Sequence, residues 1–177
     1  MGKEKKCTLY KKYTSYKKCI PYLILAGFTF FFCWWFVGRN GIFGEKVAWL
    51  SQHSVLPDYF RQQFYATGKI FPEFAPNLGG GQNIYHFAYY GLYSPLILPS
   101  YLLPFVKMSD YIMVISITGL TVSVLLFYYW LKSRKMDTGV AFIISLMFLL
   151  AGPMIGQYSG QIMFVDYMPF LLSLIHI

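Results

Sequence analysis

The sequence predicts an all-α membrane protein: polytopic transmembrane helices with a long outer loop carrying amphipathic and re-entrant helices. Three observations lead there. Only 12% of the 177 residues are charged and 56% are hydrophobic, whereas a soluble domain carries about 25% charge. Residues 21–37, 111–131 and 139–151 hold no charged side chain, and about 20 apolar residues take a helix across a bilayer. The basic residues, finally, gather at the ends of these runs.

Seven lysines (Lys3, Lys5, Lys6, Lys11, Lys12, Lys17 and Lys18) precede the first run, and Lys132, Arg134 and Lys135 follow the second. This is the flanking pattern that the positive-inside rule gives to cytoplasmic segments. It accounts for most of the net charge of +8 and excludes a nucleic-acid partner. Residues 1–19 therefore read as a basic cytoplasmic N-terminus. Cys7, Cys19 and Cys33 have no spacing suited to a metal or a disulfide. The Met-Gly start is not a myristoylation signal, because Lys6 stands where Ser or Thr is needed.

Residues 20–38 form the first transmembrane helix. Trp34 and Trp35 lie near its outer end and no small-x-small cleavage site follows, so it reads as an uncleaved signal anchor. Residues 39–109 form the extracytoplasmic loop. Within it, residues 92–106 are apolar enough to raise the question of another crossing. Such a crossing would leave Lys132, Arg134 and Lys135 outside, against the charge rule. Pro95, Pro99 and Pro104 would also each remove a hydrogen bond that lipid cannot replace. That stretch is expected to be re-entrant or interfacial.

The remaining order follows. Residues 110–131 form the second transmembrane helix, 132–137 a cytoplasmic turn, 138–152 the third helix and 153–166 a second outer loop. Residues 167–177 begin a fourth helix that stops after eleven residues. A truncated reading frame explains this, with residues 172–177 (LSLIHI) resembling translated sequencing adapter. The alternative is a natural short protein whose last helix lies at the interface. Either way the expected location is a membrane, multi-pass, with the N-terminus cytoplasmic.

Residues 49–95 are too rich in aromatic side chains for a disordered linker, so a folded element on the membrane surface is expected. Trp49, Gln52, His53, Leu56, Tyr59, Phe60, Gln63 and Phe64 follow the spacing of an amphipathic helix. Pro57 should kink it or begin a new helix. Asp58 and Arg61, one turn apart, should pair, and Gly68 is the expected C-cap. Prolines hold residues 71–77 extended, and Gly79, Gly80 and Gly81 allow positive φ or close approach of a ligand. Gln82, Asn83 and Tyr85 follow. Triple glycine beside amides and tyrosines suits a sugar or phosphate site built from backbone N–H groups. A flexible turn followed by interfacial tyrosines fits the same residues. A nucleotide-binding phosphate loop does not, since no Gly-Lys-Ser/Thr follows.

A general base or metal ligand on the outer side must come from Glu45, Asp58, Glu73, Asp110 or Asp166, with His53 or His86. Each acid can equally be solvated at the interface.

The strings WLSQHSVLPDYFRQQFY, FPEFAPNLGGGQNIYHFAYYGLYSPLILPSYLLPF and QIMFVDYMPFL together resemble the amino-terminal part of the YfhO family of bacterial membrane proteins, over about residues 20–171. Family members are much longer. The family in turn resembles the polytopic GT-C glycosyltransferases, which take a sugar from a polyprenyl-phosphate donor on the outer face. The resemblance implies a glycosyltransferase decorating a cell-envelope polymer of the lipoteichoic-acid type in Gram-positive bacteria. The partners it implies are membrane lipid, a polyprenyl-phosphate-linked sugar and the polymer acceptor. It places an acidic base or metal ligand soon after the first span. Glu45 is the nearest match, with Asp58 and His53 the other catalytic candidates and no metal ligands assigned. Gln52, Arg61, Gly79, Gly80, Gly81, Gln82, Asn83 and Tyr85 are implied substrate-binding residues, with Arg61 or the glycine amides on the phosphate. A divalent metal stays open. The competing classes are a non-catalytic translocator of lipid-linked sugar, a membrane assembly partner, or an inactive fragment.

Overall fold

The computed structural model describes residues 2–160 and 167–174. Helix α1 (Gly2–Asn40) continues the basic segment into the apolar one through Pro21. Its missing N–H removes one helical hydrogen bond, at the point where lysines give way to apolar side chains. A short helix α2 (Lys46–Ala48) leads into a π-helical turn, Trp49–His53, and then into α3 (Val55–Thr67). Pro57 sits in the first turn of α3, where its absent donor costs nothing, so it begins a helix rather than kinking one. Gly68 closes α3 in the left-handed conformation, φ 71°.

Strands β1 (Phe74–Ala75) and β2 (Gln82–Asn83) then pair antiparallel, Phe74 opposite Asn83 and Ala75 opposite Gln82. Gly79, Gly80 and Gly81 turn the chain between them with φ of 55°, 81° and 101°, values open to glycine without steric cost. Two 3-10 helices follow, Ile84–Tyr90 and Leu98–Leu102. Helices α4 (Met108–Ser133), α5 (Thr138–Leu149), α6 (Gly152–Gly160) and α7 (Tyr167–Leu174) complete the described chain.

Two stretches of helix, Lys18–Asn40 and Met108–Ser133, are long and apolar enough to cross a membrane. α4 is the centre of the bundle and packs against α1, α5, α6 and α7. Its buried residues Ile112, Ser116, Leu120, Val124 and Tyr128 recur every four residues and so share one face. Leu25, Thr29 and Cys33 form the facing stripe on α1, and Ala141, Ser145 and Leu149 that on α5. Small residues at these seams let helix backbones approach closely, which is how helices associate where lipid removes the hydrophobic drive. The hydroxyls of Thr29, Thr121 and Ser145 donate to the carbonyls four residues back, so they need no water.

α1 and α4 run antiparallel. Tyr22 meets Tyr128 edge-on at 4.8 Å, while Cys33 and Val37 share a groove with Met113 and Ile117. Away from α4, α1 exposes Leu23, Phe31, Trp34 and Trp35, an apolar face suited to lipid. Arg39 stacks on Trp35 at 5.2 Å and Arg134 on Trp130 at 5.8 Å.

The segment between α1 and α4 has a core of its own. Leu56, Phe60, Ala75, Ile84, Leu92 and Tyr101 cluster apart from the bundle core, so the aromatic loop is a folded unit.

The β1–β2 ladder adds two short strands to a mostly helical chain, because prolines keep one arm extended and the glycine turn returns the other to it. Residues 92–106, expected to be re-entrant or interfacial, form turns and a 3-10 helix, as three prolines dictate. Two expectations need correction. The helix expected over 138–152 ends at Leu149 after 12 residues, about 18 Å, short of the roughly 30 Å hydrocarbon core. Finally, residues 152–160 are helical where a loop was expected from 153. Gly152 and Pro153 look like breakers, yet proline is pre-organised for the first turn of a helix.

Candidate functional site

Glu45 stands at the N-terminus of α2 with an extended backbone, φ −72° and ψ 121°. Its N–H donates to the Ser159 carbonyl of α6 at 3.3 Å. The contact is possible because Gly44 has no side chain. A Cβ there would overlap the Trp49 ring and lie 2.8 Å from the Ser159 carbonyl. A cavity of about 480 Å³ opens at this junction, lined by Phe36, Asn40, Gly44, Glu45, Lys46, Gly156 and Ser159. Glu45 is the carboxylate on its wall and Lys46 the cation.

The π-helical turn carries the next two candidates. A π turn closes with a bond from residue i to i−5, and Ser54 donates both its N–H and its hydroxyl to the Trp49 carbonyl. His53 is buried, 5% exposed, its ring 5.6 Å from that of Tyr90. Among the described residues its Nδ1 has no partner. Burial holds its pKa below the ordinary 6.5, with Glu45 pulling the other way. Exposed Gln52 accepts a 2.8 Å hydrogen bond from the Tyr90 hydroxyl. Burial, and then its neighbour Tyr89, push the Tyr90 phenol up, so it stays protonated and able to donate.

Asp58 and Arg61 lie apart from that cavity. Arg61 is 6% exposed. Its Nη1 donates to the carbonyls of Leu103 at 3.2 Å and Val106 at 2.8 Å, and its Nη2 to Asp58 at 2.6 Å. The second Asp58 oxygen accepts from Gln62 at 2.7 Å. The pair expected from the sequence therefore forms, and it fastens α3 to the chain entering α4. A second recess, about 470 Å³, lies beside it and includes Asp58, Tyr59, Gln62 and Lys107.

The glycine turn forms a third group. The Gly81 N–H donates to the Leu78 carbonyl at 2.9 Å. The Asn83 side chain accepts from the Tyr85 N–H at 2.9 Å, capping the 3-10 helix after it. The Gln82 amide folds over Gly79. Tyr85 lies parallel to Tyr93, ring centres 6.1 Å apart. The structure thus joins Glu45 electrostatically to His53, and Gln52 and His53 to Tyr90, but separates Asp58–Arg61 and the glycine turn from the Glu45 cavity. Gly44, Lys46, Gly156 and Ser159 were not singled out by sequence. Gly44-Glu45 was the one available signal, a residue without a side chain beside a span-end acid.

No group of three His, Cys, Asp or Glu side chains set to hold a metal occurs among the described residues. Asp166 lies outside them.

Fold and site define a helical membrane protein with a cavity bordered by an acid and a lysine at the end of its first span. The family described as bacterial membrane protein YfhO matches residues 18–176, and the chain belongs to it. No curated protein and no solved structure matches the chain.

Proposed function

We propose that the full-length protein is a membrane glycosyltransferase, moving a sugar from a polyprenyl-phosphate donor to a cell-envelope polymer on the outer face. One observation carries the reading: Glu45 and Lys46, an acid beside a base, both line a cavity at the end of the first span. In that arrangement Glu45 takes the proton from the acceptor hydroxyl. The acceptor oxygen bonds to the anomeric carbon, the bond from that carbon to the phosphate oxygen breaks, and polyprenyl phosphate leaves with the electron pair. Lys46 offsets the negative charge of the phosphate. Arg61 is assigned a positioning role instead, since three of its five N–H groups are held by Leu103, Val106 and Asp58.

Full-length protein in nanodiscs, supplied with labelled donor lipid and acceptor polymer, tests this. Glu45→Gln should slow transfer by about 10²- to 10⁴-fold, the usual contribution of a positioned base. Undiminished transfer by that variant would remove Glu45 from the chemistry. Failure of the wild-type protein to consume donor would instead favour a translocator or an assembly partner.

A further inference from the structure

The 3-10 helix Leu98–Leu102 and the turn after it present two apolar side chains that the fold leaves bare. Leu102 is 80% exposed and Phe105 81%. Exposure of this size in neighbouring apolar residues marks an interaction surface.

The backbone beneath them is tightly held. Tyr65 of α3 donates to the Tyr101 carbonyl at 2.7 Å, and Arg61 donates to those of Leu103 and Val106. Phe64 stacks on Tyr101 with ring centres 5.1 Å apart. Three carbonyls of the segment thus turn inward to one face of α3, while the side chains of Leu102 and Phe105 stay outside. The tip is held out, not left over.

Its place along the chain identifies what it meets. Both ends of the segment are tied to the spanning bundle. Ile97 is fully buried in the bundle core, and Tyr111, in the first turns of α4, donates to the Leu96 carbonyl at 2.7 Å. Phe105 stands three residues before Met108, where α4 begins, so at most about 11 Å of extended chain separates them. The bare side chains therefore lie close to the start of the spanning helix, with the exposed cation Lys107 between them and α4. An apolar tip flanked by a lysine is the pattern of a segment resting in the lipid boundary, where apolar side chains sink about 5–10 Å and cations reach back to the headgroups.

We infer that Leu102 and Phe105 form a lipid-inserting wedge, and that the Asp58–Arg61 pair is the clamp presenting it. The wedge does not depend on the glycosyltransferase reading: it holds the outer unit against the bilayer whatever the chemistry at Glu45.

Nitroxide labels at Leu102→Cys and Phe105→Cys, each in an otherwise cysteine-free full-length protein reconstituted in phosphatidylglycerol–phosphatidylethanolamine vesicles, provide the test. A label in lipid collides more often with oxygen than with a water-soluble nickel chelate. One in water shows the reverse, and one buried in protein meets neither. Both wedge positions should show the lipid pattern, while Lys69→Cys in the same outer unit shows the aqueous one. An aqueous or a buried signature at Leu102→Cys and Phe105→Cys overturns the wedge. Adding Arg61→Gln should shift the Phe105→Cys label toward water, and an unshifted label overturns the clamp.

Discussion

Protonating a buried imidazole costs solvation that the protein must replace, and His53 has little to replace it with. Its ring is 5% exposed, and its Nδ1 has no partner among the described residues. Burial lowers its pKa below 6.5, and the nearby Glu45 carboxylate offsets only part of the effect. The linkage has a definite sign. Below 6.5 the unfolded chain binds a proton that the folded one resists, so stability falls as pH drops through the depressed folded value. Above 6.5 it is fully present. Hydrogen exchange over residues 49–67 should therefore be independent of pH-linked stability above 6.5, and protection should weaken progressively below it. His53→Phe keeps an aromatic ring beside Tyr90 and removes the titration, so its protection should stay level across the same range. Equal acid loss in both proteins would assign the effect to another group. Arg61 shows the opposite solution to burying a cation: it takes two carbonyls and a carboxylate with it, as a guanidinium's fixed fork of donors permits.

At the scale of elements, Gly44 joins three of them: the end of α1, the Trp49 turn and α6. Gly44→Ala would push a methyl group into the Trp49 ring and toward the Ser159 carbonyl. Overpacking of this kind costs about 1–3 kcal/mol. Gly38, inside α1 with nothing within 4 Å of its added Cβ, is the control. There alanine should be neutral or stabilise by up to about 1 kcal/mol, because glycine is the poorer helix former. Opposite signs in reversible unfolding in micelles would verify the junction, and equal signs would deny it. How far such elements can be read from residues depends on the range of the forces that make them. Pro57, Gly68 and the Asp58–Arg61 pair act within one turn, and each behaves as its local chemistry dictates. The long apolar runs likewise announce the two spanning-length helices. The helix beginning at Gly152 stayed hidden, because glycine and proline mark a break equally well in a loop or in a helical first turn. The partners of Arg61, 42 and 45 residues away, and the Glu45–Ser159 contact depend on tertiary folding that no spacing rule encodes. For the same reason the acid was legible as a candidate, while its cavity was not.

Across the whole molecule, the path of the chain bears on sidedness. α1 and α4 are antiparallel, so the C-terminal end of α4 lies toward the Tyr22 end of α1. There Lys132 donates to the Met136 carbonyl and the Thr138 hydroxyl, both at 2.9 Å, and Asp137 caps α5 through the Gly139 N–H at 2.8 Å. That cap, before the other contacts, holds the Asp137 carboxyl below its usual range. From this turn α5 and α6 run on in succession, and Ser159 reaches Glu45 beyond the far end of α1. Two short helices thus cover the path that one spanning helix would take, and Tyr158 shares a buried 2.6 Å hydrogen bond with Ser123 of α4 on the way. The charge rule expects the lysine-rich N-terminus inside, and on that expectation, which we propose rather than observe, this path would put the unit between α1 and α4 outside and the turn around Lys132 inside. Cysteine labelling in intact cells checks the arrangement in a protein whose native cysteines are replaced. Lys69→Cys should react with a membrane-impermeant maleimide from outside. Ser133→Cys, exposed at the end of α4, should react only after permeabilisation. The reverse pattern would put the Glu45 cavity in the cytoplasm, where a donor on the outer face could not reach it. Labelling of both from outside would mean that α4 does not cross at all.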